Sequence, residues 1–334
     1  MGQATITDVA RRAGVSAATV SRHLRGQRVL EAVAITRAVD ELAYVPNPVA
    51  RSLKSGSTFA VGVVVPDVTN PFFAAVVKGI ESATHDSRYS VFLCNTDESA
   101  ERERLVLAQL MGRVDGLILA PATETAEHPT DLRRSGLPIV FLDREVHSAE
   151  GFDSVLIDNE GGARQAAEYL IGLGHRRIGV ISGPLNTTPG RGRHTGFMQA
   201  LAAADLELPP EYVQIGDFRE DSARQAAFRL LALPEPPTAI FAANNLMSIG
   251  VMRALHAMDI RVPGQVSFIG FDDLHLGELL NPPVTVIDRP TVEQGVLAMR
   301  LLRNRIEHGS PQPPRQIVLD THLIIRGSCA APVP

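Results

Sequence analysis

Apolar residues recur at helical spacing at both ends of the first 24 residues, and a glycine divides them. Ile6, Val9, Ala10 and Ala13 fall on one face of a first helix, with Thr7 and Asp8 as N-cap and first-turn acid. Gly14 breaks that helix and Val15 is left as an apolar plug. Ser16 can cap a second helix that carries Val20 and Leu24 inward and leaves Ala17, Ala18, Ser21 and Arg22 facing out. Val33, Val39 and Leu42 predict a third helix over residues 30–44, with Tyr44 beyond it. Pro46-Asn47-Pro48 ends it, because a residue before proline is pushed out of helical geometry. Two short helices about a glycine-containing turn predict a helix-turn-helix, in which the second helix enters the DNA major groove.

From Phe59 the pattern changes to short apolar runs alternating with longer amphipathic stretches. Ala60–Pro66, Val91–Asn95, Gly116–Ala120 and Ile139–Asp143 read as buried strands, with helices over Phe72–Ser87 and Glu101–Arg113. The alternation then repeats. Strands fall near Ser154–Ile157, Ile178–Ser182, Val213–Gly216, Ala239–Ala242 and Val266–Phe271, and helices near Gly161–Leu173, Gly196–Ala204, Ser222–Leu233 and Met247–Met258. Strand-helix alternation predicts parallel sheets flanked by helices, and two sets predict two lobes. The fold class expected is thus an all-α helix-turn-helix head joined to a two-lobed α/β body. The domains expected are a head over 1–46, a linking segment over 47–58 and a body over 59–334.

Net charge sharpens that division. The chain of 334 residues carries −5 overall, but residues 1–58 hold +4 and the rest −9. A basic head on an acidic body suits a polyanion for the head only. The short basic loop Arg25-Gly26-Gln27-Arg28 fits phosphate contact. No run of about 18 uncharged apolar residues spans a membrane, and no basic-then-apolar leader opens the chain. Cys94 and Cys329 stand far apart without metal-ligand spacing, which suits two reduced thiols. A cytoplasmic protein without metal or cofactor is expected.

In open α/β sheets ligands bind beyond the carboxyl ends of the strands. The residues there are Asp67, Asn70, Phe72 and Phe73 after the first strand, and Asp143 and Arg144 after the fourth. A Gly- and Arg-rich loop with Arg191 and Arg193 follows Ile178–Ser182. Asp217 and Phe218, then Asn244 and Asn245, then Phe271, Asp272 and Asp273, then Asp288 and Arg289 complete the set. Planar amides, carboxylates and guanidinium groups bind vicinal hydroxyls in pairs, and aromatic faces cover the apolar side of a sugar ring. Any one such carboxylate is more often a helix cap; the convergence of the set is what points to a ligand. An enzyme has no constellation behind it: Gly190–Gly196 fails the dinucleotide spacing, and there is no Walker A, H-E-x-x-H or G-x-S-x-G.

The run Asp8 through Arg22 meets every fixed position of D-V-A-x-x-A-G-V-S-x-x-T-V-S-R, and so resembles the headpiece of the LacI/GalR family of bacterial transcription regulators. The resemblance extends over nearly the whole chain, and the body resembles periplasmic sugar-binding proteins. It implies DNA contacts from Thr5, Ser16, Ala17, Ala18, Thr19, Ser21, Arg22 and Arg25. It also implies a hinge helix that folds on DNA, from Asn47 through Ala50, Arg51 and Leu53, with Leu53 as the wedge between base steps. On the ligand side it implies Asn70, Phe72, Phe73, Asp143, Arg144, Arg191, Asn244 and Asp272, to which position at the strand ends adds Phe218, Phe271 and Arg289. Of the two arginines in R-x-R-x-x-G-F the first, Arg191, is the expected ligand residue.

Four departures stand out. Leu30-Glu31-Ala32-Val33 replaces the family's Ser-Glu-Glu-Thr cap of the third helix. Asn245 replaces an aspartate, Ala120 stands where some sugar binders carry a polar residue, and Arg289 stands where a glutamine commonly precedes the proline. Arg289 with Arg144 and Arg191 suggests an acidic effector, a sugar phosphate or sugar acid, unless Asp288, Asp272 or Asp273 ties Arg289 up. The function expected is a transcription regulator, most simply a repressor. A small sugar or sugar derivative would bind between its lobes, and a homodimer would bind a pseudopalindromic operator. A sugar-binding transport component explains the body but not the head, and a sugar-modifying enzyme explains neither. Ala331-Pro332-Val333-Pro334 has no heptad pattern, so a dimer rather than a tail-mediated tetramer is expected.

Overall fold

The computed structural model describes residues 4–24, 26–45, 56–85, 88–124, 132–146, 151–274, 276–309 and 313–333. The chain forms two compact units, Met1–Thr58 and Phe59–Pro334.

The first unit has three helices, α1 (Ile6–Ala13), α2 (Ala17–Leu24) and α3 (Ala32–Glu41). Val9, Ala10, Val20, Ile35 and Ala38 form its core, with Val15, Leu42 and Tyr44 packed against it. The N-cap of α1 is Thr5 rather than Thr7. Thr5 Oγ1 accepts the Asp8 amide, and Asp8 reaches back to the Thr5 amide at 3.0 Å, so the two form a reciprocal capping box. Gly14 closes α1 in the left-handed conformation, φ 65°, which costs glycine nothing. Two core expectations fail. Leu24 is 36% exposed and Val33 82% exposed, whereas Ile35 and Ala38 are buried. The third helix starts at Ala32 after Glu31, which makes no side-chain cap bond. With the cap of the family absent, the register of the buried face is set by Ile35 and Ala38. Asn47, Ala50, Arg51 and Leu53, and with them the expected hinge helix, lie outside the described residues, as does Arg25.

The second unit contains two six-stranded sheets. The first has the order β2-β1-β3-β4-β5-β11, built from Ser90–Asn95, Ala60–Val65, Gly116–Leu119, Ile139–Leu142, Asp153–Ile157 and Gln316–Leu319, every pair parallel. The second has the order β7-β6-β8-β9-β10-β12, built from Val213–Ile215, Ile178–Ser182, Ala239–Ala242, Ser267–Phe271, Thr285–Asp288 and His322–Ile324. Only β12 runs antiparallel, pairing Val286 with Ile324. The central strands are buried at every residue, as continuous Val/Ile/Leu/Phe runs between two helical layers must be.

The helices α4 (Pro71–Thr84) and α5 (Ala100–Leu110) belong to the first lobe. The second lobe carries α6 (Asn159–Gly172), α7 (Thr188–Ala203), α8 (Glu220–Leu231) and α9 (Asn245–Ala257). The last helix, α10 (Thr291–His308), returns to the first lobe and packs on α4, β3, β4 and β5. The chain therefore passes between lobes three times, after β5, after β10 and after β11. Sequence periodicity placed the start of α7 at Gly196, eight residues late, so the Gly- and Arg-rich segment is helix and not loop. Thr187 caps it through the Gly190 amide and Pro189 sits in its first turn.

Candidate effector cleft and DNA-binding face

In the head, Ser16 accepts the Thr19 amide at 3.1 Å and so starts α2, while its hydroxyl also meets that of Thr19 at 2.9 Å. Ala18 and Arg22 are exposed along α2; Ala17, Thr19 and Ser21 are half-buried, and Ala17 packs against the head's core. Arg22 reaches back to Thr19 Oγ1 at 3.4 Å. The outward face of α2 is thus Ala18 and Arg22, with Ala17 turned partly inward.

In the body, the carboxyl ends of both sheets converge on one cleft. Asn70, Phe72, Phe73, Asp143, Arg144, Phe218, Asn244, Asp272 and Arg289 line it, together with Glu98, Pro189 and Arg193. Each is placed by its element. Asn70 caps α4 by accepting the Phe72 amide at 3.0 Å, which sets Phe72 and Phe73 in the first turn, edge to face at 4.7 Å. Asn244 caps α9 by accepting the Met247 amide and donates to the Phe218 carbonyl at 3.1 Å. Asp143, Phe218 and Asp272 follow strands at φ 66°, 65° and 69°. Left-handed backbone at non-glycine residues costs about 1–3 kcal/mol each and persists where surrounding contacts dictate it. Gly183 is required opposite: a Cβ there would lie 2.1 Å from the Phe218 ring.

The arginines are compensated one by one. Arg144 makes a two-pronged pair with Glu98, both contacts 2.7 Å, and donates to the Pro121 carbonyl at 2.9 Å. Burial works against its charge, but Glu98 more than offsets this and its pKa is raised. Arg289 meets Asp143 Oδ1 at 2.6 Å and Asp272 Oδ1 at 2.7 Å, and its guanidinium lies 3.5 Å from the centre of the Phe72 ring. Here too burial is outweighed, by Asp272 and Asp143, and the pKa is raised. Arg193 is fully buried in the cleft wall. It donates to Asn159 Oδ1 at 2.8 Å and the Ala243 carbonyl at 2.6 Å, and stacks on Phe271 at 3.7 Å. Burial lowers its pKa to about 10 despite Asp272, so it stays charged at neutral pH. Its Nη2 is buried and has no hydrogen-bond partner within the protein.

Three sequence expectations change. Arg191 does not line the cleft: its side chain is 41% exposed and pairs with Glu124 at 3.1 Å, and Arg193 takes the inward place. Residues two apart on a helix point about 200° apart, so only one arginine of the pair can face in. Phe271 is not a lining residue but the plate beneath Arg193. The acidic effector loses its basis, because Arg289 is held by two aspartates and Arg144 by Glu98. Of the other strand-end acids, Asp67 and Asp217 accept local turn amides, and Asp273 holds Arg326.

The lobes meet across the cleft through further polar contacts. Asn245 donates to Asn70 at 2.9 Å. Glu124 accepts both the amide and the hydroxyl of Thr188, capping α7 from the other lobe, and Thr188 Oγ1 in turn accepts the Glu145 amide at 2.9 Å. Arg219 pairs with Asp97 at 3.3 Å. Glu98, Glu124 and Pro189 were not anticipated. Glu98 lies 46 residues from Arg144, and nothing local to either signals the pair. Ala120 is buried in the first lobe's core. Among the described residues no helix is long and apolar enough to cross a membrane, and no group of three or more His, Cys, Asp or Glu residues could hold a metal ion.

Two sheets that offer planar polar side chains and phenylalanines to a shared cleft, in a chain that opens on a helix-turn-helix, define a ligand-responsive DNA-binding regulator. Comparison with known proteins agrees. Residues 5–47 match the pattern for bacterial regulatory proteins of the lacI family, and residues 167–329 match a periplasmic binding protein-like domain. The chain is 38% identical over 333 residues to the ribose operon repressor of Escherichia coli K12, which covers 97% of this chain and 99% of that protein. The lac repressor dimer bound to operator and an anti-inducer superposes with a TM-score of 0.86 at 26% identity, covering 99% of this chain and all of the other. A LacI family regulator from Enterococcus faecium with bound ribose superposes at 0.73 with 30% identity, covering 81% of this chain and 99% of the other. The chain belongs to the lacI family of bacterial transcription regulators.

Proposed function

We propose that this protein is a cytoplasmic, non-enzymatic transcription repressor that binds a pseudopalindromic operator as a homodimer and releases or holds it according to a neutral sugar bound between its lobes. The observation that carries the sugar assignment is the charge balance of the cleft. Arg144, Arg193 and Arg289 face Glu98, Asp143 and Asp272, which leaves no surplus cation for a phosphate or carboxylate. What remains on offer is hydrogen-bonding: the free Nη2 of Arg193, the second oxygen of Asp143 and the side-chain NH2 of Asn70, around the Phe72, Phe73 and Phe218 rings. That is an uncharged polyol's partner set. The ribose bound by the Enterococcus relative supports the same class.

On the DNA side, Arg22 is the outward cation of α2 and is assigned to a base edge or phosphate, with Ala18 and Ala17 against thymine methyls. Thr5, Ser16, Thr19, Ser21 and Arg25 are assigned to backbone contact, and Asn47, Ala50, Arg51 and Leu53 to the minor groove by family resemblance. An effector controls the operator only if it binds the two lobe arrangements with different affinity. The test has two arms. The intact chain should enrich one pseudopalindrome from a randomised duplex pool, and a chain starting at Phe59 should enrich none. A panel of neutral sugars, sugar phosphates and sugar acids should raise the melting temperature with neutral members only. Enrichment by the truncated chain, or stabilisation by the acids alone, overturns the corresponding half.

A further inference from the structure

We infer that Arg289 is a built-in occupant of the effector cleft: its guanidinium holds two carboxylates and an aromatic face that a sugar ring would use, so the effector binds in competition with it. The inference rests on the neutral-sugar reading above. Asp143 follows β4 in the first lobe and Asp272 follows β9 in the second, and both line the cleft from left-handed backbone, at φ 66° and 69°. Backbone of that kind is costly, and here it directs both carboxylates to one place. Arg289 stands there. Its guanidinium meets Asp143 Oδ1 at 2.6 Å and both oxygens of Asp272, Oδ1 at 2.7 Å and Oδ2 at 3.2 Å, and lies 3.5 Å from the centre of the Phe72 ring. A guanidinium is a flat group with donors round its edge and weakly hydrated faces. A sugar ring offers the same pattern, hydroxyl donors round the edge and an apolar face, and calls for the same carboxylates and aromatic plate. Arg289 also takes one carboxylate from each lobe, as a ligand seated between two lobes does.

Each aspartate has a second arginine beside it, which makes the occupant displaceable. Arg193 Nη1 lies 3.9 Å from Asp272 Oδ2, inside ion-pair range but beyond hydrogen-bonding range, and its Nη2 is used by no protein group. Arg144 is buried next in sequence to Asp143; burial disfavours its charge, and Glu98 and then Asp143 restore it. Displacing Arg289 therefore leaves neither carboxylate buried without a cation, the situation in which breaking a buried pair costs most. It releases both oxygens of Asp272, Oδ1 of Asp143 and one face of Phe72 to hydroxyls and ring. A site filled part of the time by its own side chain binds its ligand more weakly, by the fraction of molecules in which it is open. Arg289 thus sets the sugar concentration at which the regulator responds.

The experiment is calorimetric titration of the full chain with D-ribose and D-glucose. Arg289→Gln is neutral and too short to hold both aspartates, and should bind the preferred sugar at least about tenfold more tightly than the wild type. Arg289→Ala should also bind more tightly. Guanidinium chloride at a non-denaturing concentration should weaken that binding toward the wild-type value, while an equal concentration of sodium chloride should not. Competition by free guanidinium is a response that a merely structural arginine would not produce. Arg289→Lys keeps a cation but not the flat group; it should bind more tightly by a smaller factor, and it serves if the other two variants do not fold. Sugar binding by the variants alone also supports the inference. A folded Arg289→Gln or Arg289→Ala that binds sugar no more tightly than the wild type overturns it, and so does binding to Arg289→Ala that guanidinium leaves unchanged. Absence of binding of either sugar to the wild type and to every folded variant overturns the neutral-sugar reading and this inference with it.

Discussion

Asn245 of the second lobe donates its side-chain amide to the side-chain oxygen of Asn70 in the first lobe, 2.9 Å away and buried. Asn70 Oδ1 already accepts the Phe72 amide, so the contact ties lobe closure to the start of α4 and to the phenylalanines that face the ligand. It also gives a reason for asparagine where relatives carry aspartate: a carboxylate cannot donate to Asn70. Asn245→Ala removes a net contribution of about 1 kcal/mol and should weaken effector binding about fivefold. Asn245→Asp sets oxygen against oxygen and should weaken it further. Titration calorimetry of both variants decides this, and equal affinity for wild type and Asn245→Asp would remove Asn245 from the closure mechanism.

Arg193 should be the least replaceable residue of the cleft. Two of its nitrogens are spent on Asn159 and the Ala243 carbonyl, and the third is left for the ligand. A lysine keeps the charge but cannot serve three acceptors in one plane. Arg193→Lys should lower effector affinity by about 100-fold, or about 3 kcal/mol, the range of a lost charged hydrogen bond plus the acceptors left behind. The ligand-induced rise in melting temperature should vanish while cooperative unfolding remains. Arg191→Lys, at the exposed pair with Glu124, should change ligand affinity by less than about threefold.

Stability should depend on pH through Glu103. It is fully buried and accepts the Ala122 amide at 2.6 Å. Burial raises its pKa from the ordinary 4.5 to about 7, against the smaller opposing effects of that amide and Arg144. The folded state therefore keeps a proton that the unfolded chain has lost, and stability from this group falls as pH rises from about 4.5 to about 7. The full effect is at most about 3 kcal/mol. Glu103→Gln should show little advantage at pH 5 and a clear one at pH 8 by urea unfolding. A variant-to-wild-type difference that does not change with pH would contradict the assignment.

In the head, Arg22→Ala should cost about 1–3 kcal/mol of operator binding if Arg22 reads a base edge. Leu53→Gly should weaken operator binding as strongly while leaving the sugar-induced shift of the melting temperature unchanged. Full operator affinity in Leu53→Gly would remove the wedge role.

The elements were legible in the sequence where one physical signal dominated. Buried parallel strands announce themselves as apolar runs, and each strand read between Ala60 and Phe271 lies within a residue or two of its observed bounds, whereas β10 was not read as a strand. Gly14 marked the end of α1. The misplacements come from competing signals. Thr5 and Thr7 both stand at the start of the first helix, and only Asp8 three residues after Thr5 completes a reciprocal cap. Val33 and Val39 looked like a face, but Val33 is exposed, while Val39 packs beside Ile35 and Ala38, the pair of α3 that is fully buried in the head's small core. In the cleft, one error of helix start carried through to the site: with α7 begun at Thr188 the inward arginine is Arg193, and with a loop there the choice between Arg191 and Arg193 is blind. Glu98 and Glu124 were not readable at all, because their partners are set by lobe geometry and lie 46 and more than 60 residues away.

The most direct test of the account is the affinity of the intact chain for its selected operator, measured by fluorescence anisotropy with and without the neutral sugar that stabilises the body. A coupling free energy of about 1–3 kcal/mol is typical of two linked sites, so the operator dissociation constant should change by about 5- to 150-fold at saturating sugar, and Arg193→Lys should abolish the change. An operator affinity that stays the same at a sugar concentration shown to saturate the cleft would contradict it.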